Sequence, residues 1–174
     1  MTIGLATVVA SAASFDWKTS ATGKIYGAGT TTLLASGTAY VFNSGVNSQD
    51  SVLAAFLGGT DWTTGALDNK AVANGAITAT AGEAFNWGTP GDTLNAFFAV
   101  VDGDKIYISD IVSKDAAETG YSQFSFNAKA TSQAAALDSS SFSGAGWYQS
   151  VPEPTSGLLM LLGMAGLALR RRRA

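Results

Sequence analysis

Cysteine and histidine are both absent from the 174 residues of this chain. Their absence excludes metal sites built from Cys and His, nucleophile pairs of Cys or Ser with His, and disulfide bonds as a source of stability. Carboxylates and lysines remain as the candidates for acid–base chemistry. The length, with 47% hydrophobic residues, predicts one folded domain with terminal signals rather than two domains.

Arginine is also missing from most of the chain, because all four arginines lie at 170–173. Residues 13–150 contain twelve Asp and Glu against six Lys, which gives a net charge of −6. Phosphate binding needs a basic patch, and this composition does not supply one. We therefore expect that nucleic acid is not a partner.

The C-terminal tail, VPEPTSGLLMLLGMAGLALRRRRA, has three consecutive parts. Pro152 and Pro154 favour an extended segment at its start. Residues 157–169 carry no charge and, as a helix, would span roughly 20 Å against about 30 Å of membrane hydrocarbon. A short apolar core helix is the alternative interpretation, but a core helix rarely adjoins four arginines. A membrane segment held on its cytoplasmic side needs such a cluster, and long Arg side chains can snorkel to extend the span.

This order of parts resembles the PEP-CTERM sorting signal of Gram-negative bacteria, and the resemblance covers residues 151–173. It implies export, transient anchoring in the membrane, and processing by an exosortase, a membrane enzyme associated with exopolysaccharide production. It implies nothing about the preceding domain. On this resemblance, the recognition motif would be Pro152, Glu153 and Pro154, and the cytoplasmic basic stop would be Arg170, Arg171, Arg172 and Arg173.

The N-terminal residues 1–12 predict a shortened signal peptide. Residues 3–10 are apolar, and Ala10-Ser11-Ala12 fits the small-x-small rule for cleavage before Ala13. No Lys or Arg precedes Lys18, so we expect that the coding start lies a few codons upstream and that Met1 is an internal methionine. The alternative is that this apolar stretch is a first β-strand.

Residues 13–150 are predicted to form a single β-rich domain, which the tail at 151–174 follows. Residues 94–101 and 105–111 flank Asp102-Gly103-Asp104, a strong hairpin signal. Thr89-Pro90-Gly91-Asp92 predicts a type II turn that pairs residues 84–87 with the following strand. Other predicted strands cover 38–42, 76–80, 122–127 and 146–150, and alternation in the third places Phe124 and Phe126 on one face.

One helix is predicted after Ser48, which is a natural N-cap. Its apolar stripe ends at Gly58-Gly59, and we expect it to pack across a sheet edge or an open end of the domain. A weaker helix signal covers 132–137. The apolar stripe of the first helix consists of Val52, Leu53, Phe56 and Leu57.

The predicted fold is therefore mostly β, a small antiparallel β-sandwich-like domain with one short helix, plus a C-terminal hydrophobic helix.

Candidate chemistry in the domain is weak. Asp102, Asp104 and Asp110 suggest calcium, but a calcium loop needs an oxygen ligand at its fifth position, where Ile106 lies, so a plain hairpin turn is favoured. Glu83, Asp92 and Glu118 are the least unreasonable acids for glycoside hydrolysis, but nothing distinguishes them from surface acids. The glycine pairs at 27–29 and 144–146 are too short for phosphate loops. We expect no catalytic, cofactor or metal residues, and no enzymatic activity.

Aromatic side chains offer a second possibility, since exposed rings stack on sugars. The domain has no disulfides and few long aliphatic residues, so burial of these rings in the core is favoured. The candidates for stacking are Trp17, Trp62, Trp87 and Trp147.

Together these features predict an exported structural protein of the cell surface or of the extracellular polysaccharide matrix of a biofilm. The precursor would be anchored in the inner membrane and then released to the surface or the medium. The alternatives are a carbohydrate-binding or adhesive module and a secreted glycoside hydrolase. A polysaccharide is a possible partner, and an exosortase is the expected processing partner.

Replacing Arg170 to Arg173 with Ser should weaken the cytoplasmic stop, because each Arg at a membrane boundary contributes to orientation. We expect the precursor to slip through the membrane or to be degraded, and its processing to fall. Immunoblotting of membrane and released fractions measures this. Anchoring and trimming at wild-type levels would show that the arginines are dispensable.

Overall fold

A computed structural model describes residues 12–79, 83–128 and 141–149. The predicted signal segment at 1–11, the weak helix signal at 132–137, and the tail from 150 onwards lie outside these ranges. The fold is mostly β, as predicted. Within the described ranges the elements are Ser14–Thr19 (β1), Ser36–Asn43 (β2), Gln49–Leu57 (α1), Asp68–Ala73 (β3), Ala76–Ile77 (β4), Phe85–Asn86 (β5), Thr93–Asp102 (β6), Lys105–Ile108 (β7), Val112–Asp115 (β8), Tyr121–Phe126 (β9) and Gly146–Gln149 (β10).

The larger sheet has the strand order β10-β7-β6-β2-β3-β4, and β8 also pairs with β6. All of its pairings are antiparallel. The predicted hairpin of β6 and β7 is confirmed, with Asp102 opposite Lys105 across the turn. Gly103 there has a φ of 63°, which glycine adopts without steric strain.

The strand predicted over 105–111 is wrong at its end, because β7 stops at Ile108. β6 pairs with β7 up to Ala99–Ile108 and then with β8 from Ala96–Val112. Three residues, 109–111, therefore oppose two residues of β6, which makes a β-bulge. The buried Ser109 hydroxyl fills this gap by accepting a hydrogen bond of 2.9 Å from the backbone N–H of Phe98.

The smaller sheet has the order β5-β1-β9. β1 and β9 are parallel, with Ser14 opposite Tyr121 and Thr19 opposite Phe126, so the domain is not purely antiparallel as predicted. The segment predicted to pair with β6 forms β5 and pairs with β1 instead, placing Phe85 opposite Phe15. β6 cannot take β5 as a neighbour, because it already pairs with β2 on one side and with β8 on the other. The edge of β1 in the smaller sheet is available to β5 instead.

The turn at 89–92 forms as predicted. The backbone N–H of Asp92 donates to the carbonyl of Thr89 at 3.0 Å, and Gly91 has the positive φ, 93°, that a type II turn needs at its third position. The turn leads directly into β6.

The two sheets share one buried cluster. β1 contributes Phe15 and Trp17, and β9 contributes Phe124 and Phe126, all with no more than 1% exposure. Phe98 of β6 lies between the sheets, with its ring 6.2 Å from Trp17 and 5.3 Å from Phe126. Buried aromatic pairs of this kind add about 0.5 to 1.5 kcal/mol each beyond the area they bury. The alternation predicted for β9 is confirmed, with both phenylalanines inside.

The helix α1 covers the other face of the larger sheet. Its predicted N-cap is confirmed, since the Ser48 side chain accepts a hydrogen bond from the backbone N–H of Ser51 at 3.1 Å. Val52 and Leu53 are buried in a second cluster with Phe42 and Phe97. The helix therefore packs on a face of the larger sheet, and the prediction that it packs across an edge or an open end is wrong. The odd-numbered residues of β6 lie on this face and are apolar from residue 97 onwards, so the helix can bury its own apolar residues there.

Alanine at Gly75 should destabilise the domain more than alanine at Gly103. Both glycines have positive φ, 69° and 63°, which costs a non-glycine residue about 1 to 2 kcal/mol. A Cβ at Gly75 would also lie 2.5 Å from the carbonyl oxygen of Ile25, whereas a Cβ at Gly103 meets nothing within 4 Å. We expect chemical denaturation to show a clearly larger loss of unfolding free energy for Gly75→Ala. Equal losses would contradict this packing.

Candidate functional site

A buried ion pair joins the two sheets. The Nζ atom of Lys70 in β3 donates to Oδ1 of Asp16 in β1, and the two side chains are 3% and 5% exposed. Oδ1 also accepts the backbone N–H of Trp17 at 2.7 Å. Oδ2 accepts a longer bond of 3.4 Å from Nε2 of Gln123, which lies beside Asp16 in the parallel strand β9. Three strands therefore position this carboxylate.

A second carboxylate lies next to this pair along β3. Asp68 is two residues before Lys70, and side chains two apart in a strand lie on the same face. Its Oδ2 accepts a hydrogen bond of 2.8 Å from the indole Nε1 of Trp17. The two acids thus both accept hydrogen bonds from Trp17, one from its backbone N–H and one from its indole N–H.

A cleft of about 650 Å³ opens beside the pair. It runs along β3 where the two-residue strand β4 no longer covers the edge. Its lining is polar or small, and it includes Asp68, Asn69, Lys70, Thr78 and Glu83. Such a lining suits water and hydroxylated ligands better than apolar ones.

The four tryptophans are not exposed stacking platforms. Trp17 and Trp147 are buried, and the indole N–H of Trp147 donates to the Tyr26 carbonyl at 3.1 Å. Trp62 and Trp87 are half-buried. Their rings lie 5.1 Å from Tyr40 and 6.0 Å from Phe15, respectively. All four indole rings therefore pack within the domain, as predicted.

The three acids considered for hydrolysis are exposed, and of these Glu83 lines the cleft. Asp92 accepts hydrogen bonds from the backbone N–H and the hydroxyl of Thr89 at 2.8 and 2.9 Å. These bonds, the backbone one first, lower the pKa of Asp92, which is opposite to what a general acid needs. Asp92 and Glu118 do not line the cleft.

Two of the three acids considered for calcium, Asp102 and Asp104, have other partners. Oδ2 of Asp102 accepts the backbone N–H of Ala28 at 3.1 Å, so a carboxylate faces the glycine-rich turn at 27–29 and would repel a phosphate there. The side-chain hydrogen bond from Lys105 is the main cause that lowers the pKa of Asp104. Across residues 12–79, 83–128 and 141–149, no three His, Cys, Asp or Glu residues are grouped to hold a metal ion.

The Tyr107 hydroxyl is buried and, among the described residues, has no hydrogen-bond partner. Burial raises the pKa of Tyr107, and Asp110 and Tyr148 raise it further. The phenol therefore stays neutral, so it is not a candidate general base.

Comparison with known proteins finds a match in the tail but none that covers the cleft. A family model described as a PEP-CTERM protein-sorting motif matches residues 150–173. This chain is a PEP-CTERM domain-containing protein. The motif indicates export, sorting to the cell envelope and processing by an exosortase, a membrane enzyme. Searches of curated proteins and of solved structures find no match to the chain.

The PEP-CTERM motif residues predicted from the sequence, Pro152 to Pro154 and Arg170 to Arg173, lie outside the described residues. The predicted membrane helix at 157–169 lies outside them too. In the part of the chain that the structure describes, no helix has both the length and the apolarity to cross a membrane.

Sequence reasoning missed the buried pair and its neighbours. One signal was present, because Lys70 is in phase with Val72, which is buried at 2% exposure. A lysine on the inward face of a strand needs a buried partner. The identity of that partner, 54 residues earlier in the chain, follows only from the tertiary structure.

Replacing Lys70 with Met should lower the free energy of unfolding by about 3 to 5 kcal/mol, because Asp16 would remain buried without its partner. The matched control is Lys105→Met, since the Lys105–Asp104 pair is 24% and 62% exposed and such surface pairs contribute little to stability. Urea denaturation followed by tryptophan fluorescence measures both. Similar losses for the two variants would contradict the assigned burial.

Proposed function

We propose that this chain is an exported structural protein of the cell surface or the extracellular polysaccharide matrix. Its precursor is held in the inner membrane by the apolar segment and the Arg cluster of the tail, and an exosortase then processes it. The observation that carries this proposal is the sorting motif at residues 150–173, directly after a folded β domain. In this proposal the domain is the cargo and not an enzyme.

The surface charge of the domain supports a role among hydrated polymers. Six lysines oppose twelve acids over residues 13–150, and Lys70 is buried against Asp16. The remaining positive charge is scattered, so the surface is acidic. An acidic surface keeps crowded copies apart in solution and does not attract nucleic acid.

Exposed hydroxyl, amide and carboxylate groups lie on β6 and β8 of the larger sheet. Beyond the part that α1 covers, Thr93 donates to Asp115 across β6 and β8 at 2.7 Å. On the same pair of strands, Ser113 donates to Asn95 at 2.5 Å. Groups of this kind make weak hydrogen bonds to polysaccharide, and dense display of many copies adds those bonds together through multivalency.

A carbohydrate-binding or adhesive module is the second candidate function, and the cleft along β3 favours it. Asp68, Asn69 and Glu83 offer hydrogen-bonding groups in a concave surface. The cleft lacks an exposed aromatic platform among its lining residues, which weakens this candidate. Retention of the protein on polysaccharide affinity gels, lost in Asn69→Ala, would favour it over a purely structural role.

Alanine at Pro152, Glu153 and Pro154 should block processing, because the proposed recognition motif would be gone. In cells that contain an exosortase, we expect this variant to keep its full tail and to stay in the membrane fraction. The matched control is Pro90→Ala, which replaces the one proline outside the tail. Intact mass and fractionation measure both variants.

Release of the triple alanine variant at the wild-type mass would overturn the sorting part of the proposal.

For the structural part, deletion of the gene should change biofilm cohesion, and the wild-type gene but not the triple variant should restore it. Turnover of a glycan by the purified protein at an ordinary enzymatic rate, lost on replacing one carboxylate, would overturn the structural part.

A further inference from the structure

The ion pair between Lys70 and Asp16 is poorly satisfied as an ion pair. A lysine ammonium has three N–H donors, and among the described residues Asp16 is its one hydrogen-bond acceptor. With 3% exposure, the side chain of Lys70 has little access to water for the other two donors. A buried charge with unsatisfied donors is costly. An amide nitrogen at the same place would carry no charge and one N–H.

We propose that Lys70 and Asp16 form an intramolecular isopeptide bond, which joins β3 to β1 covalently. The amine and the carboxyl are already in direct contact, and both come from strands held by their own sheets. Fixing two reactants in contact removes most of the entropy cost of an amide-forming reaction. The bond requires no cofactor or second substrate.

The reaction is a condensation that releases one water. A proton first passes from the Lys70 ammonium to Oδ2 of the Asp16 carboxylate, which leaves a neutral amine beside a carboxylic acid. The Nζ lone pair then attacks Cγ of Asp16, and a C–N bond forms. A second proton passes from Nζ to the departing hydroxyl, the C–O bond breaks, and water leaves. The third proton stays as the amide N–H, so atoms and charges balance.

The groups around Asp16 fit this chemistry. The backbone N–H of Trp17 lies 2.7 Å from Oδ1, where it stabilises negative charge on that oxygen during the attack and then bonds the amide carbonyl. Oδ2, next to Gln123, is the oxygen that leaves. The cleft along β3 lies beside the pair, so the released water has a short path to solvent.

A link between residues 16 and 70 would close a loop across the two sheets. Such a cross-link restricts the unfolded chain in the way a disulfide does, and the effect grows with the separation of the linked residues. The chain contains no cysteine. An isopeptide bond would therefore supply a covalent constraint that an exported protein of this composition otherwise lacks.

Denaturing mass spectrometry of the full purified chain tests the bond. We expect an intact mass lower than the sequence mass by one water molecule. Trypsin should fail to cut after the acylated Lys70, so that residues 25–105 stay together and carry the N-terminal peptide that ends at Lys18. An unmodified mass with normal cleavage after Lys70 would overturn the proposal. A water lost at any other residue would overturn it equally.

Lys70→Arg and Lys105→Arg form a matched pair of variants. Arginine keeps the positive charge beside Asp16 but does not form this bond, so the Lys70 variant should show the full sequence mass. The Lys105 variant should lose one water like the wild type. A loss of water in Lys70→Arg would overturn the proposal. Both readouts are made on denatured protein, and the wild-type result stands even where a variant folds poorly.

Discussion

Contact between the two sheets depends on aromatic rings that reach across from both sides. Phe98 projects from the middle of the larger sheet and packs against Trp17 of β1 and Phe126 of β9. The smaller sheet has three strands, and one of them, β5, is two residues long. A sheet of this size has little stability alone, so its order follows from burying these rings against the larger sheet.

The same contact creates the buried charges. Once β1 lies over β3, the carboxylate of Asp16 and the amine of Lys70 meet with little exposure to solvent, while Asp68 accepts the indole N–H of Trp17. The rings and the charges therefore depend on one alignment of the sheets. A shift of β1 by one residue would remove Trp17 from the core and separate the charges, so the polar pair adds specificity to an interaction that hydrophobic burial drives.

The domain and the tail have separate tasks. The sorting motif lies within residues 150–173, outside the described residues of the domain. An exported domain with no cysteine must stay folded without disulfides. A core built from aromatic rings, with an inter-sheet link at Lys70 and Asp16, suits that requirement.

Local signals account for the features that were predicted correctly. The Asp102-Gly103 turn, the Ser48 cap and the alternation of Phe124 and Phe126 each depend on residues adjacent in the chain. Predictions failed where partners are distant. β5 pairs with β1, about 70 residues away, and Asp16 lies beside Gln123 at a separation of 107 residues. The bulge after Ile108 was missed because its cause is the continued pairing of β6 with β8.

The β-rich class, the main hairpin, the capped helix and the sorting tail could be predicted from the sequence, because propensity, turn chemistry and signal motifs are properties of short segments. The folded domain was needed to establish that β1 and β9 run parallel, that α1 covers a sheet face, and that Lys70 contacts Asp16. Those outcomes depend on which buried surfaces fit together across the whole domain, and one segment does not contain that information.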